Sequence, residues 1–151
     1  MQPEITCTER LLVNAPRYRE ISCAVLIDKL GRLLLQQRDD KPNIVQPKKV
    51  GLFGGHREAG ESYLQCVVRE VHEEIGVYVP SDCFEQLECF EGPDPEVLYG
   101  RVHAELYMAR NIPAENMVIS EGALLIVQPD EIYKIESKLT PFARMALGGF
   151  V

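Results

Sequence analysis

Hydrophobic and polar positions change period several times along the chain, and each change marks an element. Ile21–Asp28 (ISCAVLID) and Arg32–Arg38 (RLLLQQR) are apolar runs joined by Lys29-Leu30-Gly31, which predicts a β-hairpin with largely buried strands. Arg38–Val50 (RDDKPNIVQPKKV) is polar, holds two prolines and reads as a surface loop, with Val50–Phe53 a short apolar strand behind it. From Glu61 to Ile75 the period turns helical: Leu64, Val67, Val68, Val71 and Ile75 fall at i, i+3, i+4, i+7 and i+11. Gly76, just past the stripe, suits a left-handed cap, and Pro80 discourages a restart.

Beyond the helix, Val77–Val79 and Phe84–Phe90 are expected strands, and Glu91–Pro95 is a turn by composition. Tyr99–Ala109 alternates, with Val102, Ala104, Leu106 and Met108 on one face and Arg101, His103 and Glu105 on the other, as a half-buried strand does. Asn111–Gly122 is a polar loop with a small strand expected at Met117–Ile119, followed by an apolar strand over Ala123–Val127. Pro129 opens a short helix reaching Glu136, and Thr140-Pro141 caps and starts a last one ending near Gly148-Gly149.

At 151 residues the chain suits a single domain over 1–151, and such a chain buries about 70% of its unfolded surface. Residues 1–16 are polar and acidic, which predicts an arm or short edge strand and no signal peptide. The 46% hydrophobic and 26% charged composition is ordinary for a soluble protein, and no run reaches membrane-spanning length. A formal net charge of -7 argues against a nucleic-acid polymer as main partner. An anionic diphosphate is tolerated beside that charge only where metal ions bridge it. Five cysteines without a C-x-x-C pair point to a reducing, cytoplasmic compartment and away from zinc; Cys66, inside the helix, reads as packing.

The chemistry concentrates on the helix. On a helical wheel Glu70 and Glu74 lie about 40° apart, with Glu73 about 60° to the other side of Glu70, so three carboxylates share the flank beside the buried stripe. Like charges at i and i+4 cost ~0.2–0.5 kcal/mol, and carboxylates in a last turn oppose the macrodipole. A hard divalent cation offsets both: Mg²⁺ takes carboxylates, waters and substrate phosphates. Arg69 stands next to Glu70 and can hold a carboxylate bidentately. The loop Gly54–Gly60 leads in with three glycines, where backbone needs unusual dihedrals or close approach to a ligand. A merely solvated helix face accounts for the glutamates but not for Gly55, Glu61, Arg69 and Gly76 at fixed offsets. Arg38, Lys48, Lys49 and Arg57 are candidates for substrate phosphates, and Tyr63, Phe90 and Tyr99 for stacking on a base. His56, His72 and His103 have no supporting spacing.

Gly55–Val77 (GHREAGESYLQCVVREVHEEIGV) forms one pattern: Gly, five residues, Glu61, seven residues, Arg69-Glu70-Val71, one residue, Glu73-Glu74, one residue, Gly76 and an aliphatic residue. It resembles, position for position, the signature of the Nudix hydrolases, or MutT-like proteins. The resemblance implies an α/β (α+β) fold, a mixed β-sheet sandwiched between helices, and Mg²⁺- or Mn²⁺-dependent hydrolysis of a nucleoside diphosphate linked to another group. Carried over by position, Glu70, Glu73, Glu74 and the Gly55 carbonyl are the implied metal ligands and Arg69 the orienter of Glu70, which is either a ligand only or also a catalytic base, with Glu61 and Gly76 supporting loop and helix. Glu121 stands where several members have a further acidic residue, to complete the metal site or take a proton from the attacking water; Glu91, Asp94, Glu96 and Glu115 are its rivals.

The implied partner is a small-molecule nucleoside diphosphate derivative, with no membrane, and a homodimer is the pairing many relatives make through terminal segments. Pro93 lies 16 residues beyond Val77, close to where members acting on ADP-ribose carry a proline. Oxidised nucleotides, nucleotide sugars and dinucleoside polyphosphates stay open beside it. Two other classes compete: a regulatory nucleotide-binding domain without chemistry, expected to lack box carboxylates that are present here, and an isomerase on the same scaffold, which releases no phosphate-containing product.

Overall fold

Apolar runs too long for a one-sided strand predict burial on both faces, and β1 (Tyr18–Asp28) and β2 (Leu33–Gln37) have it. The computed structural model describes residues 18–150, so the arm expected over 1–16 lies outside them. After the hairpin come β3 (Val50–Gly51), β4 (Phe53–His56), α1 (Tyr63–Ile75), β5 (Phe84–Pro93), β6 (Arg101–Ile112), β7 (Ala123–Val127) and α2 (Pro141–Leu147), with short 3₁₀ turns between. The sheet runs β3-β2-β1-β6-β5, with β4 on β1 and β7 on β2. β1 and β6 are parallel and the other pairs antiparallel. One edge of β1 is used twice, Ile21–Ala24 pairing with β4 and Leu26–Ile27 with β2. Cys23, Gln36, Leu52 and Gly54, around this parting, line a cleft.

The side-chain alternation of the central strands feeds two cores. Val25, Ile27, Leu33, Leu35, Val102, Ala104 and Leu106 pack against Phe142, Ala143, Ala146 and Leu147 of α2. Ala24, Leu26, Leu34, Phe53, Tyr107 and Ala109 face the other way and meet Val67, Val71 and Ile75 of α1. Each of those three α1 side chains is fully buried, a contribution of ~1.5–3 kcal/mol apiece. The result is the mixed sheet between helices that the resemblance implies.

Several elements differ from their patterns. β6 alternates as expected through Glu105, with Arg101 exposed and His103 and Glu105 half-buried, but its second face is buried at Tyr107 and Ala109, which join the α1 core. Val77–Val79 forms no strand: it lies between the Gly76 cap and the 3₁₀ turn Ser81–Cys83, and Val79 serves as a single buried anchor. Met117–Ile119 forms none either, since the Val118 N–H donates to the Ile75 carbonyl (2.8 Å) and the Ser120 N–H to that of Glu74 (3.0 Å), satisfying open carbonyls of α1. The turn expected at Glu91–Pro95 begins later: β5 pairs with β6 through Pro93↔Arg101, and the chain turns between Asp94 and Gly100. The helix expected from Pro129 is a pair of 3₁₀ turns, Pro129–Lys134 and Glu136–Lys138.

Candidate active site

α1 begins at Tyr63 rather than Glu61 because Ser62 caps it: its hydroxyl accepts from the Gln65 N–H (3.0 Å) while Gln65 Oε1 accepts from the Ser62 N–H (2.8 Å). The S-x-x-Q spacing was readable and marks this start. At the other end Gly76 takes φ 71° and donates to the His72 carbonyl. Between these caps Arg69, Glu70, Glu73 and Glu74 stand on one helix.

Arg69 spans the site. Its Nε and Nη2 donate to the two oxygens of Glu61 (2.7 and 2.9 Å), Nη1 to Glu70 Oε1 (2.9 Å) and Nη2 also to the His56 carbonyl (3.0 Å). These bonds hold the Glu61 carboxyl down at about 2, the Arg69 hydrogen bond contributing most. Glu73 makes only a long contact to the same guanidinium (3.4 Å) and is exposed. Glu74 turns back onto the loop, its Oε1 accepting the Gly54 N–H at 2.7 Å.

The glycines explain themselves here. A Cβ on Gly54, at φ 151°, would collide with the Ser22 carbonyl and the Cys23 Cα of β1. A Cβ on Gly55 would stand 2.6 and 2.8 Å from the two carboxylate oxygens of Glu70. The Glu70 carboxylate therefore lies against bare backbone.

Glu70, Glu73, Glu74 and Glu121 all line one cleft of about 690 Å³ with Gly54 and Gly55. Burial raises the Glu70 carboxyl against the pull of Arg69. Burial likewise pushes Glu74 up to about 8, with the charges of Glu70 and Glu121 adding to it and the Gly54 N–H and Arg38 opposing. Mutually repelling, partly desolvated carboxylates with an all-oxygen donor set fit a hard divalent cation. Of Glu121's rivals, Glu91 and Glu115 do not line the cleft and Asp94 is paired with buried Arg19 (2.7 Å). Glu96 does line it, with its oxygens on Arg19 Nη2 (3.3 Å) and the Phe142 N–H (3.3 Å).

The basic candidates separate. Arg38 lines the cleft, and its buried Nε has no hydrogen-bond partner among the described residues. Arg57 does not line it: its guanidinium is bound to Glu20 (2.7 Å) and the Glu61 carbonyl (2.8 Å) over the Tyr63 ring. Lys48 and Lys49 lie outside as well, while Lys41 of the same loop is inside. Tyr63, Phe90, Tyr99 and Pro93 are not among the lining residues; Tyr63 donates to Glu20 (2.9 Å) and Phe90 packs on Phe142. Gln36, whose Nε2 donates to the Glu121 carbonyl (3.0 Å), belongs to no motif of the chain; a polar residue closing an apolar strand is its one signal in the sequence. Arg19, Ile44 and Val45 had none.

Residues 17–143 match the family model of the NUDIX domain. The NAD-capped RNA hydrolase NudC of Pseudomonas aeruginosa is 36% identical over 97 residues, 64% of this chain and 33% of that protein. The m7GpppN-mRNA hydrolase NUDT17 of Xenopus laevis is 26% identical over 83% of this chain and 38% of its own length, so the chain spans little more than a third of these curated relatives. Among solved structures, the MutT protein of Methanosarcina mazei Go1 matches with a TM-score of 0.69 at 22% identity, covering 90% of this chain and 94% of that one. A bifunctional NMN adenylyltransferase/ADP ribose pyrophosphatase from Francisella tularensis matches at 0.69 and 20% identity, over 93% of this chain and 43% of that one. At those identities the structural likeness speaks for the fold alone. With the family match running from the first strand into the last helix, and the box borne by the Gly54-Gly55 turn and α1, the chain belongs to the NUDIX domain family.

Proposed function

We propose that this chain, acting as one catalytic domain, hydrolyses the diphosphate linkage of a nucleoside diphosphate joined to another group. The observation that carries the reading is the gathering of Glu70, Glu73, Glu74 and Glu121 with the Gly55 backbone around a cleft that also holds the unpartnered Nε of Arg38. Glu70, Glu73, Glu74 and the Gly55 carbonyl would hold Mg²⁺ or Mn²⁺. When bound, the metal supplies charge neutralisation for phosphate oxygens and an acidified water.

The chain's own residues do the rest. Arg69, anchored on Glu61, keeps Glu70 aimed into the cleft, and the Gly54 N–H fixes Glu74. Arg38 donates to a phosphate oxygen of the substrate. Glu121 takes the proton of the attacking water as the bridging P–O bond breaks and the leaving phosphate departs with the electron pair. Ile44, Val45 and Leu52 offer an apolar flank for a base. A relative named for NAD-capped RNA hydrolysis, 36% identical over 97 residues, supports the substrate class. The net charge of -7 favours a small molecule over an RNA chain. The four described cysteines are free thiols, in keeping with a cytoplasmic setting, and no described helix is long and apolar enough to cross a membrane.

The test is a panel of nucleoside triphosphates, 8-oxo-dGTP, ADP-ribose, nucleotide sugars, dinucleoside polyphosphates and NAD-capped RNA, with Mg²⁺ and then Mn²⁺. Selective cleavage to two phosphorylated fragments, abolished by chelation and restored by either metal, is expected. Tight binding without turnover overturns the reading in favour of a regulatory domain. Activity surviving exhaustive chelation removes the metal from it.

A further inference from the structure

On the same sheet, away from the cleft, β5 and β6 bring together a cluster that the proposed hydrolysis does not use. Their register sets Cys89 opposite Glu105 and Glu91 opposite His103. His103 Nε2 lies 3.5 Å from Cys89 Sγ and 3.1 Å from Glu105 Oε2, and the three donor atoms all fall within 4.8 Å of one another. We propose that Cys89, His103 and Glu105 form a zinc site distinct from the carboxylate cleft.

The separations are those of a shared ion. Ligands at about 2.3 Å (sulfur) and about 2.0 Å (nitrogen or oxygen) from one tetrahedral centre stand roughly 3.6 Å apart for S···N and roughly 3.3 Å for N···O. The outer contacts agree with that role. His103 Nδ1 faces Glu91 Oε2 (3.4 Å), the carboxylate–histidine arrangement that leaves Nε2 as the ligating atom. Gln86 Nε2 (3.0 Å) and the Tyr107 hydroxyl (3.4 Å) donate to Glu105 Oε1, which leaves Oε2 free to ligate. The Tyr63 ring packs on the imidazole, centroids 4.6 Å apart, and fixes its plane.

With Nδ1–H given to Glu91, the neutral ring turns a lone pair toward a carboxylate oxygen at 3.1 Å, acceptor against acceptor. A cation between them removes the conflict, and so does an imidazolium donating to both carboxylates. The cation also engages the thiol, whose soft sulfur at 3.5 Å from Nε2 completes a sulfur–nitrogen–oxygen donor set. Binding deprotonates the Cys89 thiol, its proton passing to solvent as the Zn–S bond forms, and water takes the fourth position. Cys89 is exposed while the His103 and Glu105 side chains are 20% and 17% exposed, so the ion has an entry path over two held ligands. None of the three lines the carboxylate cleft, whose oxygen donors suit a hard ion instead.

The missing C-x-x-C pair argued against zinc in the sequence. That spacing finds ligands within one loop, whereas here two strands joined by a long turn supply them.

The test is titration of the full chain with Co²⁺ in excess Mg²⁺. One equivalent is expected to raise a near-ultraviolet thiolate-to-cobalt charge-transfer band, which Zn²⁺ then abolishes. Cys89→Ser should lose the band, His103→Gln should weaken binding about tenfold or more, and Cys83→Ser should retain it, with circular dichroism confirming that each variant folds. Absence of the band in the unaltered chain, or its survival in Cys89→Ser, overturns the proposal. Hydrolytic activity does not enter the readout, so the two proposals fail separately.

Discussion

Replacing each glycine of the Gly54-Gly55 pair by alanine should give two different failures. In Gly55→Ala the atoms nearest the new methyl all belong to the end of the Glu70 side chain, with both carboxylate oxygens inside 2.9 Å, and a flexible side chain can swing away. Swinging breaks the 2.9 Å bond from Arg69 Nη1, a charge-assisted interaction whose loss costs ~1.5–3 kcal/mol. Alanine returns ~0.4–1 kcal/mol by restricting the unfolded chain. The net destabilisation is about 0.5–2.5 kcal/mol, which at ~2–4 °C per kcal/mol lowers Tm by a few degrees.

The larger effect falls on the metal. With Glu70 displaced, apparent Mn²⁺ affinity should drop about 10- to 100-fold, read by titration calorimetry, and excess metal should restore part of the activity. In Gly54→Ala the methyl meets the Ser22 carbonyl and Cys23 Cα, both backbone inside the β1–β4 ladder, at a φ that side chains rarely adopt. Nothing there can yield, so a loss on the order of 4 kcal/mol or more is expected. Equal destabilisation of the two variants, or a folded Gly55→Ala with unaltered metal affinity, would refute the placement of Glu70 against the Gly55 backbone.

Glu73 is 58% exposed with one long contact, so Glu73→Gln should stay within ~0.5 kcal/mol of the parent in stability yet lose orders of magnitude in turnover; a parental rate removes Glu73 from the site. Arg38→Ala should raise KM about tenfold or more with a smaller change in kcat and leave Tm unchanged or higher, since it deletes a buried donor without a partner; an unaltered KM contradicts phosphate binding. Glu61 is held at about 2, below its ordinary 4.5, by Arg69. A depressed carboxyl lends stability above its unfolded pKa and surrenders it as pH falls toward the folded value. Glu61→Gln should therefore lose ~1–3 kcal/mol at neutral pH, and the stability gap to the parent should close between pH 4.5 and about 2. A gap that persists at low pH shows that the ion pair is not its source.

What the sequence determined by itself is what neighbours along the chain can encode. The stripe Leu64–Ile75, the Gly76 cap and the i, i+3, i+4 set of Glu70, Glu73 and Glu74 follow from 3.6 residues per turn, whatever else the chain does. The Thr140 cap of α2 and the hairpin of β1 and β2 were legible for the same local reason. Only tertiary structure decided the second face of β6, because its burial depends on α1 lying over Tyr107 and Ala109. The same holds for Arg57, within the glycine loop but claimed by Glu20, and for Arg38, which reaches the cleft from another strand end. Glu121 enters the cleft because Val118 and Ser120 bond the last carbonyls of α1, and Cys89 meets His103 because β5 and β6 pair in one register. Periodicity specifies which face a side chain takes on its own element. Which faces meet is set by long-range register and by where the buried stripes find cover, and these belong to the folded chain as a whole.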